Sequence, residues 1–325
     1  MASAVAPVFG VLGSCMGCMV FVENIAKQEP SAMNLMTFST FVFIATHGLL
    51  FTSKFFTVPN RIPLKGYVWT VSMFFIVNVV NNQALNFHVP VPLHIIFRSG
   101  SLLATLVLSV VLIGKSYSPR KYISVLAITV GIIICTLATS SQGGGSAGLS
   151  YEEASKHYKE WSIGIAMLTF ALLASAYLAI CQQQMYETYG KHPDEAMFIT
   201  HFVSLPFFLA MGGDIATAAS KLSASAPYSL LPGVPSLWVD LVASCILQYY
   251  CIKYVYQLNS RVDSLTVTLV VTLRKFLSLI VSIVYFKNPF TGMHWIGAIL
   301  VFAGTLAFAD IWGENSKKVE EKKKQ

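Results

Sequence analysis

The sequence predicts an all-α membrane protein of ten transmembrane helices, arranged as two inverted five-helix repeats. Three observations predict this. Hydrophobic residues make up 55% of the 325 and charged residues only 11%, less than half of the roughly 25% carried by an ordinary soluble domain. Ten long apolar stretches, at about 21 residues each, use some two thirds of the chain. One hydrophilic interruption divides them five and five, and an odd number per half makes homologous halves cross the bilayer in opposite directions.

In chain order the stretches are 5–25, 33–53, 66–87, 91–114, 119–140, 160–184, 195–213, 236–257, 263–287 and 291–312, each bounded by charge, Pro or Gly. The first has no basic n-region and runs through Glu23 toward the second, so it is expected to stay in the protein as a span. Its Gly10, Gly13 and Gly17 permit close helix approach. The fourth and fifth carry Lys115, Tyr117-Ser118 and Thr136-Leu137-Ala138, and the ninth and tenth answer with Lys287, Phe290-Thr291 and Thr305-Leu306-Ala307. This faint internal likeness fits an inverted repeat, which places a solute site between the halves near the midplane. The expected organisation is a first repeat over 1–140, an exposed linker over 141–159 with Gly143-Gly144-Gly145, a second repeat over 160–313 and a basic tail over 314–325. A second exposed loop is expected from Asp214 to Pro235, which is rich in Ala, Ser and Pro.

The net charge of +7 comes from 22 Lys and Arg against 15 Asp and Glu. With the N-terminus assigned to the cytosol, fourteen of the basic residues fall on cytosolic ends and loops. Five (Lys27, Lys156, Lys159, Lys221 and Lys287) fall on the other side, and three lie within spans. This bias places both termini in the cytosol. The basic residues form no single stripe, so nucleic acid is not an expected partner and the lipid bilayer is. All six cysteines fall in apolar stretches. Cys15-x-x-Cys18 lies in a spanning helix with no βαβ pattern around it, so packing is the expected role.

The three basic residues within spans are Arg98, Arg274 and Lys275. Each would cost about 2.5–3.5 kcal/mol at a helix centre on insertion scales, so each must face a watery cavity or a partner such as Glu23. Ser264, Thr268, Thr272 and Lys275 fall within about 80° of helix rotation, with Arg274 at the edge of that stripe. His94, Arg98, Ser101, Thr105 and Ser109 form a similar sector. Hydroxyls around an unpaired cation suit a lined cavity, and clustered cations suit an anion of two or more charges, such as a diphosphate. Asn78, Asn82 and Asn86 share a face at i, i+4 and i+8, with Asn81 beside them. They suit either interhelical hydrogen bonds or sugar hydroxyls. Phe198 and His201 open the seventh stretch. No P-loop, zinc-ligand cluster or nucleophile elbow is present, so no enzyme, cofactor or metal is expected.

Three stretches resemble the nucleotide-sugar transporters of the drug/metabolite transporter superfamily. They are Val79-Val80-Asn81-Asn82-Gln83-Ala84-Leu85-Asn86, Pro92-Leu93-His94-Ile95-Ile96-Phe97-Arg98-Ser99-Gly100-Ser101, and Ser264 through Val271-Thr272-Leu273-Arg274-Lys275-Phe276. Within that family they most resemble the branch carrying UDP-N-acetylglucosamine and UDP-xylose, and Asn288-Pro289-Phe290-Thr291 with His294-Trp295 continues the likeness. The resemblance implies a ten-helix antiporter that brings a UDP-sugar into the lumen of the Golgi or endoplasmic reticulum in exchange for UMP. Another phosphorylated metabolite in the same fold is the alternative. It implies that Lys275 meets the phosphates with Arg98 nearby. Relatives specific for GDP-mannose carry Phe-Tyr-Asn-Asn in helix seven, where this chain has Phe198-Ile199-Thr200-His201, and that departure argues against guanine. The ending Lys322-Lys323-Lys324-Gln325 has the form of a dilysine signal read by coat protein, and a tail attracted to anionic lipid is the alternative. A homodimer completes the partner expectations.

Overall fold

The structure is a computed structural model describing residues 2–114, 117–142, 151–190, 192–229, 231–261 and 264–308. Its α-helices are α1 (Ala2–Gln28), α2 (Met33–His47), α3 (Leu64–Gln83), α4 (Val91–Ser99), α5 (Ser101–Ile113), α6 (Pro119–Gln142), α7 (Tyr151–Tyr189), α8 (Pro193–Ser204), α9 (Gly212–Ser223), α10 (Ser236–Arg261), α11 (Ser264–Val284) and α12 (Gly292–Phe308). A two-stranded antiparallel ribbon, β1 (Pro227–Tyr228) and β2 (Leu231–Pro235), lies between α9 and α10.

Among the described residues, six helical segments are long and apolar enough to cross a membrane: Ala6–Gln28, Pro30–Thr52, Leu64–Asn86, Pro119–Thr139, Ser155–Tyr189 and Pro193–Ser223. The other predicted stretches correspond to α4 with α5, to α10, to α11 and to the shorter α12. The fourth stretch is therefore not one helix. It stops at Ser99 and resumes at Ser101, and a Cβ on the intervening Gly100 would come within 2.6 Å of Ile132 Cδ1. In the seventh stretch a 3₁₀ segment, Leu205–Met211, follows α8 and has Pro206 as its second residue, which has no N–H to continue the α-helical ladder.

Two expected loops are helical instead. α7 begins inside the expected linker, where Lys156 and Glu160 lie 4.0 Å apart at i, i+4. α9 replaces the first half of the loop expected after Asp214, because Ala218 and Leu222 form an apolar face buried against Ile25 and Leu237. Residues 143–150 of the linker and the whole tail from 314 lie outside the described residues.

The helices pack in defined pairs. α1 runs along α10, α3 along α7, and α6 along α12, while α2 rests on α8 and α4 on α11. The α6–α12 contact depends on small residues. A Cβ on Gly131 would sit 2.6 Å from the Gly297 carbonyl oxygen, and one on Gly297 would sit 2.7 Å from that of Gly131. Close approach of this kind gives two apolar helices dispersion contact where lipid supplies no hydrophobic drive. The largest core joins α4, α6, α7, α11 and α12 around Leu93, Ile96, Ile128, Leu279 and Val301.

A candidate anion site in the central cavity

A central cavity of about 480 Å³ is walled by α1, α2, α3, α4, α7, α8, α10 and α11. Arg98, Arg274 and Lys275 all line it. Arg98 lies in the last turn of α4, and the break at Gly100 leaves that turn's carbonyls without successors in the helix. Lys275 Nζ donates to the Arg98 carbonyl oxygen at 3.2 Å, so a cation meets the negative end of α4. The Arg98 guanidinium is itself exposed to the cavity. Arg274 Nη1 makes a weak contact with Cys251 Sγ at 3.5 Å.

No salt bridge engages these three cations among the described residues. Glu23, the acid considered as a partner, turns elsewhere. Its Oε1 accepts from Ser282 Oγ at 2.7 Å and from Asn288 Nδ2 at 2.5 Å. Asp240 accepts from Asn24 at 2.6 Å. Among the described residues, the cavity wall thus carries three positive charges without a carboxylate to neutralise them. An anion would relieve their mutual repulsion, and the planar fork of an Arg beside the point charge of a Lys suits phosphate oxygens.

The other predicted residues divide. Asn82 lines the cavity, but its Nδ2 is used on Thr37 Oγ1 at 2.6 Å and on the Met33 carbonyl at 3.2 Å, which ties α3 to α2. Asn86 does not line it. α3 ends at Gln83, and the 3₁₀ turn Ala84–Asn86 breaks the i+4 register, leaving Asn86 exposed and donating to Gln83 Oε1 at 2.8 Å. Phe198 is a correction as well. It is buried against Phe202 and beside Gly48, where a Cβ would meet Phe198 Cβ at 2.8 Å, so it belongs to the core with Ile62 and Tyr67. His201, one turn on, does face the cavity. The side chains of Ser264, Thr268 and Thr272 lie outside the described residues, as do those of Ser101, Thr105 and Ser109. His94 is buried with Nε2 3.2 Å from the Asn81 carbonyl.

Sequence reasoning missed several wall residues, among them Phe41, Phe74, Gln182, Tyr186 and Ser278. Gln182 and Tyr186 carried a usable signal, since polar residues at i, i+4 in an apolar helix mark one face. The cysteines also differ from expectation. Cys15 forms a disulfide with Cys251 across α1 and α10, while Cys18, Cys135 and Cys245 are free and buried.

Comparison with known proteins places the chain in a family. A solved crystal structure covers 93% of this chain and 98% of its own at TM-score 0.52 and 17% identity, which shows a shared fold. "Endoplasmic reticulum GDP-fucose transporter" of Drosophila melanogaster is 48% identical over 315 residues, 93% of this chain and 90% of the relative. "UDP-xylose and UDP-N-acetylglucosamine transporter" of Danio rerio is 44% identical over 304 residues, covering 93% and 92%. "Nucleotide sugar transporter SLC35B4" of Homo sapiens is 44% identical over 305 residues with the same coverage. The model of the UAA transporter family matches residues 3–312, and the chain belongs to that family.

Proposed function

We propose that the protein is a nucleotide-sugar antiporter that carries a UDP-sugar, UDP-N-acetylglucosamine or UDP-xylose, into the lumen of the endoplasmic reticulum or Golgi in exchange for UMP. The observation that carries this reading is the set of three cations lining one cavity without carboxylate partners among the described residues. Arg98, Arg274 and Lys275 hold the diphosphate, Asn82 stands toward the sugar, and the cavity-facing part of α8 meets the base. A simpler phosphate ester would satisfy the same charges. The names of the relatives at 44% identity favour a nucleotide sugar.

Ten helical passes in two inverted repeats, with both termini cytosolic, complete the reading. The helix pairing supports it. A two-fold axis in the membrane plane would relate α1 on α10 to α7 on α3, and would map α2 on α8, α4 on α11 and α6 on α12 onto themselves. Rocking of one repeat against the other would then expose the cavity to each side in turn.

A second reading, a GDP-sugar as cargo, is favoured by the Drosophila melanogaster relative at 48% identity. Liposomes containing the purified protein and preloaded with UMP or GMP decide between them. Labelled UDP-sugar should enter UMP-loaded vesicles; uptake of GDP-sugar only, against GMP, would replace the leading reading with the second. Exchange of neither would sink both.

A further inference from the structure

His201 is 6% exposed and lines the cavity. Its Nδ1 lies 2.7 Å from the carbonyl oxygen of Met197. A carbonyl can only accept, so Nδ1 carries the hydrogen and the neutral ring keeps a lone pair on Nε2. Nε2 has no hydrogen-bond partner among the described residues. Two aromatic rings fix the imidazole. Phe41 from α2 meets it at 4.7 Å and 70°, and Phe74 from α3 at 5.1 Å and 68°. Phe41 and Phe74 also line the cavity and stack on one another at 5.3 Å. The cavity lining therefore includes the cations of α4 and α11 and, on α2, α3 and α8, the Phe41 and Phe74 rings holding the His201 Nε2 acceptor, among the hydroxyls and amides of Thr37, Thr40, Thr70, Asn78, Asn81 and Asn82.

We infer that His201 selects the base of the transported nucleotide, and that it selects a chemical class: bases with a ring N–H beside a carbonyl, as in uracil and guanine. This rests on the reading that the cavity takes a nucleotide sugar. The aromatic wall takes the face of the ring, and Nε2 takes its N–H. Cytosine and adenine present a ring-nitrogen lone pair at the equivalent position. Lone pair would then face lone pair, leaving a desolvated acceptor without its donor. The class includes both bases named among the relatives, GDP in one and UDP in others, so one acceptor serves either.

The test uses the full chain in UMP-loaded liposomes and measures how unlabelled nucleotides compete with uptake of labelled UDP-sugar. UMP should compete at least about tenfold better than either CMP or N3-methyl-UMP, which has lost the N–H. In His201→Ala, UMP should weaken to the level of N3-methyl-UMP. His201→Asn, whose amide can donate as well as accept, should gain competition by CMP. Equal competition by UMP and N3-methyl-UMP in the unaltered protein overturns the proposal without touching the transport reading. A preference for UMP that survives in His201→Ala, with CMP still excluded by His201→Asn, removes His201 from base selection. A complete lack of exchange removes the transport reading and this proposal with it.

Discussion

The ammonium of Lys275 donates to the carbonyl oxygen of Arg98 at 3.2 Å, joining the middle of α11 to the broken end of α4. Two cations are thus held together by a backbone dipole and no acid. Lys275 has further N–H groups to offer an anion, and the Arg98 guanidinium is exposed beside it.

Lys275→Ala should therefore cut exchange by about ten- to a hundredfold, the worth of one charge-assisted hydrogen bond of about 1.5–3 kcal/mol. Lys275→Arg should recover part of it, since the charge returns with a different shape. Initial rates of labelled UDP-sugar uptake into UMP-loaded liposomes measure both. Full activity in the alanine variant, with equal protein in the vesicles, would take Lys275 out of the site.

Gly297→Val should destabilise the folded protein while leaving its substrate preference unchanged. The added atoms would meet Cys135 Sγ and the Gly131 carbonyl, so α6 and α12 must separate. Overpacking of this kind typically costs about 1–3 kcal/mol. Gly13→Ala is the control, because nothing lies within 4 Å of its added Cβ. Thermal unfolding in detergent should show a clear drop for the first and almost none for the second.

The long apolar stretches were readable because a bilayer imposes length and hydropathy on each helix. The cations were readable because charge within a span is costly. Features set by tertiary contact were not. The need for a glycine at the Gly100 break reflects the approach of Ile132, more than thirty residues on in sequence but near in space. Phe198 and His201 stand three residues apart, yet one faces a core and the other a cavity, a choice fixed by Gly48 and Ile62 on one side and by Phe41 and Phe74 on the other. Asn86 left its expected face because the last turn of that segment is 3₁₀, which apolar periodicity does not reveal. Cys15 and Cys251 are 236 positions apart, and spacing cannot pair them.

Glu195 fastens the entrance to α8. Its carboxylate accepts from the Arg61 and Ile62 backbone N–H groups at 2.9 and 3.0 Å and from the Tyr67 hydroxyl at 3.2 Å. Glu195→Ala leaves the N–H of buried Ile62 without a partner, at a cost of about 1–3 kcal/mol. Trypsin should then cut faster at Lys54, Arg61 and Lys65 in detergent, while Glu195→Gln, which keeps one acceptor oxygen, should fall between. Identical cleavage of the alanine variant and the unaltered protein would rule out this fastening role.

A clasp between helix ends should respond to acid. Lys221 Nζ lies 3.0 Å from Glu29 Oε1, and the Ser31 hydroxyl donates to the same oxygen. Partial burial pushes the Glu29 carboxyl up, but the hydrogen bonds from Ser31 and Lys221 and the charge of Lys221 outweigh it and hold the carboxyl below its usual value. A group whose folded value is depressed adds stability above its unfolded value, and that stability is lost as pH falls through the folded one. Lys221→Ala should thus lower thermal stability slightly at neutral pH, by less than about 1 kcal/mol because the pair is partly exposed. The difference should shrink in high salt and disappear once the medium is more acidic than the ordinary carboxylate range. Unfolding curves of the two proteins across pH measure it, and a gap that widens in acid would show that Lys221 stabilises by some route other than Glu29.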